Sequence, residues 1–181
     1  MSASLEQAEP VVEFWRRSKT HWFRKSESFD RAFRERFLDL HLAAARRELE
    51  GWSQESTGSL ALLILLDQFP RNAFRGTAHM YATDPLARRY ARQAQAQDHM
   101  ERVQEALRLF FCLPFAHSED LADQNLSMTL HAKLGADFMS HAREHRDIVL
   151  RFGRFPHRNT LLLRDTTAEE QAFLDAGGFA G

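Results

Sequence analysis

Polar and apolar positions recur with helical spacing along almost the whole chain, and alternation of the strand kind is nearly absent. Val11 to Arg17 reads as a short helix carrying Phe14 and Trp15, and His21, Trp22 and Phe23 extend the apolar character into a connection. Ser28 is the expected N-cap of a long helix reaching about Glu50, with Phe29, Phe33, Phe37, Leu40 and Ala44 on one face and Gly51 as its stop. Leu60 to Leu66 is apolar on every side, which predicts a central helix rather than a surface one. Asp84-Pro85 restarts a helix with an acid at the N-cap and proline at the first helical position, and Arg88, Arg89 and Arg92 mark its polar side. Val103, Ala106, Leu107, Phe110 and Phe111 form another amphipathic face that should stop before Pro114. His117 or Ser118 opens the next helix, with Glu119, Asp120 and Asp123 in its first turn and Leu121, Asn125, Met128 and Ala132 along one side until Gly135. Phe138, Ala142, His145, Val149 and Phe152 line the following helix, and Thr166-Thr167-Ala168-Glu169-Glu170 carries a capping-box pattern for a short last helix to about Asp175.

These segments predict an all-α fold of about seven to eight helices with short connections, one domain over residues 1–181 with its core in about 11–175. No strict repeat of about 34 residues is visible, so irregularly stacked helix pairs fit better than a regular array. Fifteen Phe supply core volume. The 24 Lys and Arg against 25 Asp and Glu exclude a global basic footprint, so no nucleic-acid partner is expected. Charge is uneven: residues 98–123 hold six acids and two bases, residues 143–164 six arginines and two acids, and the two segments should attract each other. Cys112, the one cysteine, excludes an internal disulfide and reads as a buried thiol. Met1 to Pro10 has no secretory pattern and the longest apolar run is too short for a bilayer, so a cytoplasmic protein without membrane contact is expected.

One short phrase occurs twice: Asp67-Gln68-Phe69-Pro70-Arg71-Asn72 and Arg154-Phe155-Pro156-His157-Arg158-Asn159, each after a strongly helical segment. Proline disfavours helical geometry in the residue before it, so Phe69 and Phe155 should mark the last turns of their helices. Arginine then offers a planar fork of donors suited to carboxylates or phosphates, and asparagine both donates and accepts.

Those phrases, together with Arg75-Gly76-Thr77, Ala82-Thr83-Asp84, Leu113-Pro114-Phe115, His117-Ser118-Glu119, Asp123-Gln124 and Arg151-Phe152-Gly153, resemble the bacterial family catalogued as Domain of Unknown Function 924, from about Val12 to Leu174. The resemblance implies a tetratricopeptide-like, right-handed helical superhelix and no established activity. One departure stands out: where relatives have Leu-Gly-Arg, this chain has Leu162-Leu163-Arg164, and a glycine there would permit a left-handed turn.

The candidate site gathers Asp67, Gln68, Arg71, Asn72 and Arg75 with Arg151, Arg154, Arg158 and Asn159 in a basic polar cleft for a small anionic ligand such as a phosphate or carboxylate ester. A catalytic use would take His117 or His157 as acid or base, with Glu119 or Asp67 as the orienting carboxylate. Ser118 lacks the surroundings of a nucleophile elbow. The competing expectation is an interaction module that holds a peptide on its helical surface, with the arginines and asparagines serving as structural locks. His141-Ala142-Arg143-Glu144-His145 matches an inverted zinc-hydrolase motif, but a third protein ligand is wanting, and a hydrogen-bonded core His145 is the favoured reading. Neither a metal nor another cofactor is expected.

Overall fold

The computed structural model describes residues 5–179, and among them every regular element is helical. The chain divides into two compact units, the first running to Arg75 and resuming over His79–Pro114, the second comprising Gly76–Ala78 and everything from Phe115. The first unit holds α1 (Ala8–Arg17), α2 (Glu27–Ala45), α3 (Ser56–Leu63), α4 (Phe69–Ala73), α5 (Asp84–Ala96) and the start of α6 (Leu109–Ala116). The second holds the end of α6, then α7 (Leu121–Leu134), α8 (Met139–Phe152) and α9 (Ala168–Asp175).

The uniformly apolar run does form the centre of the first unit: Leu60 to Leu66 are all buried. Aromatic residues pack around it. Phe14, Phe29 and Phe33 stack on one another, Trp15 meets Phe110 edge-on at 5.3 Å, and Trp22 donates its indole N–H to the Trp15 carbonyl at 2.7 Å. Gly58 permits this closeness: a Cβ there would stand 2.2 Å from the Trp52 carbonyl oxygen. The long helix is capped by Ser26 rather than Ser28 and ends at Ala45, because Arg47 turns left-handed well before Gly51. Its buried face includes His41 where the spacing suggested Leu40.

Two proline expectations are corrected. α6 runs through Pro114 to Ala116, and its trailing carbonyl groups find side-chain donors: Gln124 Nε2 reaches the oxygens of Ala116 and Ser118, both at 2.7 Å. Pro70 likewise lies inside a helix rather than after one, as described below.

In the second unit α7 packs along α8 after the short Gly135 turn. α7 opens at Asp120, whose side chain accepts from the amides of Ala122 and Asp123, so Glu119 stays outside the helix. The expected apolar stripe of α7 is also overturned. Leu121, Asn125 and Ala132 are exposed, whereas Asp123, Gln124, Ser127 and His131 are buried with Leu130. Polar groups can occupy that face because backbone partners await them, as with the two carbonyls held by Gln124. The core of this unit is small: Ile148, Val149 and Phe155, with Phe152, Phe173 and Phe179 against them. α9 opens with the expected capping box of Thr167 and Glu170.

Candidate functional site

The first phrase lies on a continuous helical path. Between α3 and α4 the helix widens to a π turn over Ile64–Gln68, and the Phe69 N–H reaches back five residues to the Ile64 carbonyl. Pro70 has no N–H to give. The Leu65 and Leu66 carbonyls are taken by side chains, His41 Nδ1 at 2.8 Å and Thr83 Oγ1 at 2.6 Å, and Arg71 and Asn72 Nδ2 reach the next two, Asp67 at 2.7 Å and Gln68 at 2.9 Å. Side chains thus stand in for the backbone donors that Pro70 and the widened turn remove.

The charged groups of this corner are paired within the first unit. Arg71 grips both oxygens of Asp84, at 2.8 and 3.0 Å, and lies 3.3 Å from Asp67, to which Gln68 also donates. Burial opposes the charge on Arg71, but the Asp67 and Asp84 carboxylates outweigh it and raise its pKa. Arg75 makes a two-pronged pair with Asp30, at 2.8 and 3.1 Å, and donates to Asn72 Oδ1. Asp67, Gln68, Arg71, Asn72 and Arg75 therefore come together as one network.

The second phrase is built differently. Gly153, left-handed at φ 71°, ends α8; Phe155 is extended, and Pro156–Arg158 form a single tight turn. Arg154 pairs with Glu170 at 2.7 and 2.9 Å and donates to the Asp165 carbonyl. That guanidinium, with the Thr167 amide, holds the Glu170 carboxyl down at about 2. Arg151 reaches exposed Glu169 on the surface. Glu119 accepts from the Phe155 amide at 2.9 Å and from both prongs of Arg164 at 2.8 Å, so one expected attraction between the acidic and basic segments is realised. Burial pushes Glu119 up, but Arg164, the Phe155 amide and the charge of Arg158 together hold it below the ordinary carboxylate value.

Arg158 is buried, donates to the His117 carbonyl at 2.9 Å and lies over the Phe155 ring at 4.6 Å. Two imidazoles stand against Phe155, and a third stands beside one of them. His145 is 5.5 Å from its ring and His157 5.6 Å, and His117 is 6.4 Å from His145. Phe179 touches both His145 and His157. Burial first, then the charges of Arg158 and His145, push His157 down to about 3; burial, His117 and Arg158 push His145 to about 4. Both rings are neutral at pH 7. His157 Nδ1 and Asn159 Oδ1 are among the atoms here that are buried without a hydrogen-bond partner. The Asn159 amide nitrogen faces Glu170 and Thr166, which fixes its oxygen as the orphan.

The zinc-like motif on α8 is not joined by a third ligand among the described residues. His145 directs Nδ1 to the His141 carbonyl at 2.8 Å and turns its ring onto Phe155, and among the described residues no three His, Cys, Asp or Glu side chains are placed to hold an ion. Sequence spacing does not reveal His41, Thr83 and Asp84 as partners at the first corner, or Arg164 as the partner of Glu119 at the second. A clue exists for Asp84, an acid at a helix start close in sequence to Arg71; His41 gives none, since it acts on a backbone carbonyl far along the chain.

A family model described as "Bacterial protein of unknown function (DUF924)" matches residues 11–178. The chain belongs to that family. The chain is similar to the solved structure of ATU0120, a protein of unknown function from Agrobacterium tumefaciens, at 55% identity, with a TM-score of 0.93 over 95% of this chain and 98% of that one. No curated protein matches. For this DUF924 member, no described helix is long and apolar enough to cross a membrane.

Proposed function

We propose that this protein binds a small anionic ligand at the second Phe-Pro corner, around Arg158, and that the first corner is a structural lock. The observation carrying this reading is the pair of buried atoms without partners, His157 Nδ1 and Asn159 Oδ1, on either side of Arg158 in sequence. Buried polar atoms in native proteins are nearly always bonded, so such a pair marks a place with something still to bind. Burial is the main cause that keeps His145 and His157 unprotonated, and the positive charge of Arg158 adds to it; that charge would favour an anion in the same place. Neutral imidazoles beside it can donate or accept, which suits a phosphate or carboxylate. Arg71, Arg75 and Arg154, each gripped by a carboxylate, serve architecture in this reading.

That same ion pairing favours the second reading, a tetratricopeptide-like module that holds a peptide and uses both corners as locks. Calorimetry with inorganic phosphate and with small dicarboxylates, on the wild type and His157→Phe, separates the two. The first reading expects saturable binding that weakens at least tenfold in the variant while the fold survives, because phenylalanine removes an orphaned atom. Absence of binding by these anions, or equal affinity in both proteins, would overturn it.

A further inference from the structure

The turn that follows α1 gathers cations around one bare aromatic ring. Between Glu13 and Glu27 stand Arg16, Arg17, Lys19, Arg24 and Lys25 and no acid, in a chain whose 24 Lys and Arg are matched by 25 acids. All five cations are exposed. Glu13 pairs with Arg16 and Arg17, whereas Lys19, Arg24 and Lys25 have no carboxylate partner among the described residues. In their midst Phe23 is 69% exposed. The residue before it is fixed in the core: the Trp22 indole donates to the Trp15 carbonyl, stacks on the Trp15 ring and meets Phe110 edge-on at 4.8 Å. His21 lies flat on Phe29 at 5.0 Å, and the Arg24 amide donates back to the His21 carbonyl at 3.1 Å. The backbone that carries Phe23 is therefore pinned on both sides of it, and an apolar ring is held in water by a rigid turn.

We propose that this turn docks the protein on the surface of an anionic lipid bilayer, with Phe23 entering the headgroup region and Lys19, Arg24 and Lys25, aided by Arg16 and Arg17, lying against the negative headgroups. A single apolar anchor gives only marginal, reversible attachment, and a polybasic patch beside it is the second signal that makes the attachment useful. Each cation brought to an anionic leaflet multiplies the affinity by about five. Because Trp22 already holds the turn, Phe23 enters the interface with little ordering left to do. Outside this patch the chain is net negative, so an anionic surface repels the remainder and favours the orientation with the turn against the lipid. A nucleic acid fits less well, since single strands are held by successive stacking rings along a charged groove, and this turn presents one ring between cations. The contact needs no spanning helix, and no described helix could supply one. The expectation of no membrane contact rested on the lack of a span and of a secretory pattern, neither of which bears on surface docking. The patch lies wholly in the first unit and is independent of the anion site around Arg158.

Co-sedimentation of the full chain with phosphatidylcholine vesicles, with and without about 30% phosphatidylserine, tests it. Binding is expected to the anionic vesicles alone, and to be lost when salt rises from about 0.1 M to about 0.5 M. Phe23→Ser should weaken it about tenfold. Arg24→Ser with Lys25→Ser should weaken it about 25-fold, and leaves the ring in place if the Phe23 variant fails to fold. Both variants change exposed side chains, so thermal unfolding should match the wild type. Failure to bind the anionic vesicles at low salt, equal binding to the neutral ones, or variants that bind like the wild type would overturn the proposal. A single-stranded oligonucleotide bound more tightly than the anionic vesicles at the same salt, and released by the same variants, would overturn it in favour of a nucleic-acid surface.

Discussion

Phe69-Pro70-Arg71-Asn72 and Phe155-Pro156-His157-Arg158-Asn159 share their letters and almost nothing of their geometry. The first passes its proline through a helix, and the second turns a corner on it. The difference comes from what the rest of each unit offers the backbone. At the first, His41 and Thr83 supply donors for the Leu65 and Leu66 carbonyls, so the chain can stay helical without the amide that Pro70 lacks. At the second, Gly153 has already ended α8 in a left-handed turn, and Phe155 is free to be extended, the geometry a residue before proline prefers. The polar side chains then diverge. Around Arg71 two buried acids complete a tight network, whereas around Arg158 buried atoms of His157 and Asn159 are left over.

The harshest way to break the comparison is to remove one acid from the first corner. Asp84→Ala deprives buried Arg71 of its two-pronged partner and leaves only Asp67 nearby, and stability should fall by about 3 kcal/mol in urea denaturation. Next is Thr83→Val, which keeps shape but takes the donor from the Leu66 carbonyl. A loss of about 2 kcal/mol is expected, and the π turn should lose exchange protection. At the second corner the sign reverses: His157→Phe removes an orphaned atom, so stability at pH 7 should rise by about 1 kcal/mol. A destabilised variant would mean that Nδ1 has a partner in solution.

How much of this was legible follows from the range over which each residue acts. Residues that act on their near neighbours were readable: the all-apolar α3, the Thr167 and Glu170 capping box, and the Gly153 stop all depend on a few adjacent positions. What escaped depends on residues distant in sequence. Nothing within ten residues of Pro70 announces that His41, 24 residues before Leu65, will catch its carbonyl. The buried polar face of α7 escapes for a different reason, since its partners are nearby backbone carbonyls that residue types do not announce. Asp123, Gln124, Ser127 and His131 look solvated until the carbonyls of the preceding turn are placed against Gln124. The arginines stand out in the sequence as donors suited to carboxylates, but spacing alone does not reveal Asp84, Asp30 and Glu170 as the partners of Arg71, Arg75 and Arg154.

The smallest expected effect concerns Leu163, which departs from the Leu-Gly-Arg pattern of the family resemblance. Its backbone is left-handed at φ 54°, the conformation glycine adopts freely, and its side chain is 94% exposed, so no packing compensates the strain. Arg164 nonetheless keeps its two-pronged grip on Glu119, at 2.8 Å for both contacts, so leucine does not displace the arginine; it only makes the turn that presents it more costly. Leu163→Gly relieves about 1 to 2 kcal/mol of left-handed strain and gives back about 0.5 to 1 kcal/mol through the greater freedom of glycine in the unfolded chain. The net gain should be about 0.5 kcal/mol in urea denaturation, with no change at Asp84 or the π turn. A loss instead of a gain would mean that residue 163 is not left-handed in solution, and would move the second corner's arginine Arg164 out of the geometry that holds Glu119 against the Phe155 amide.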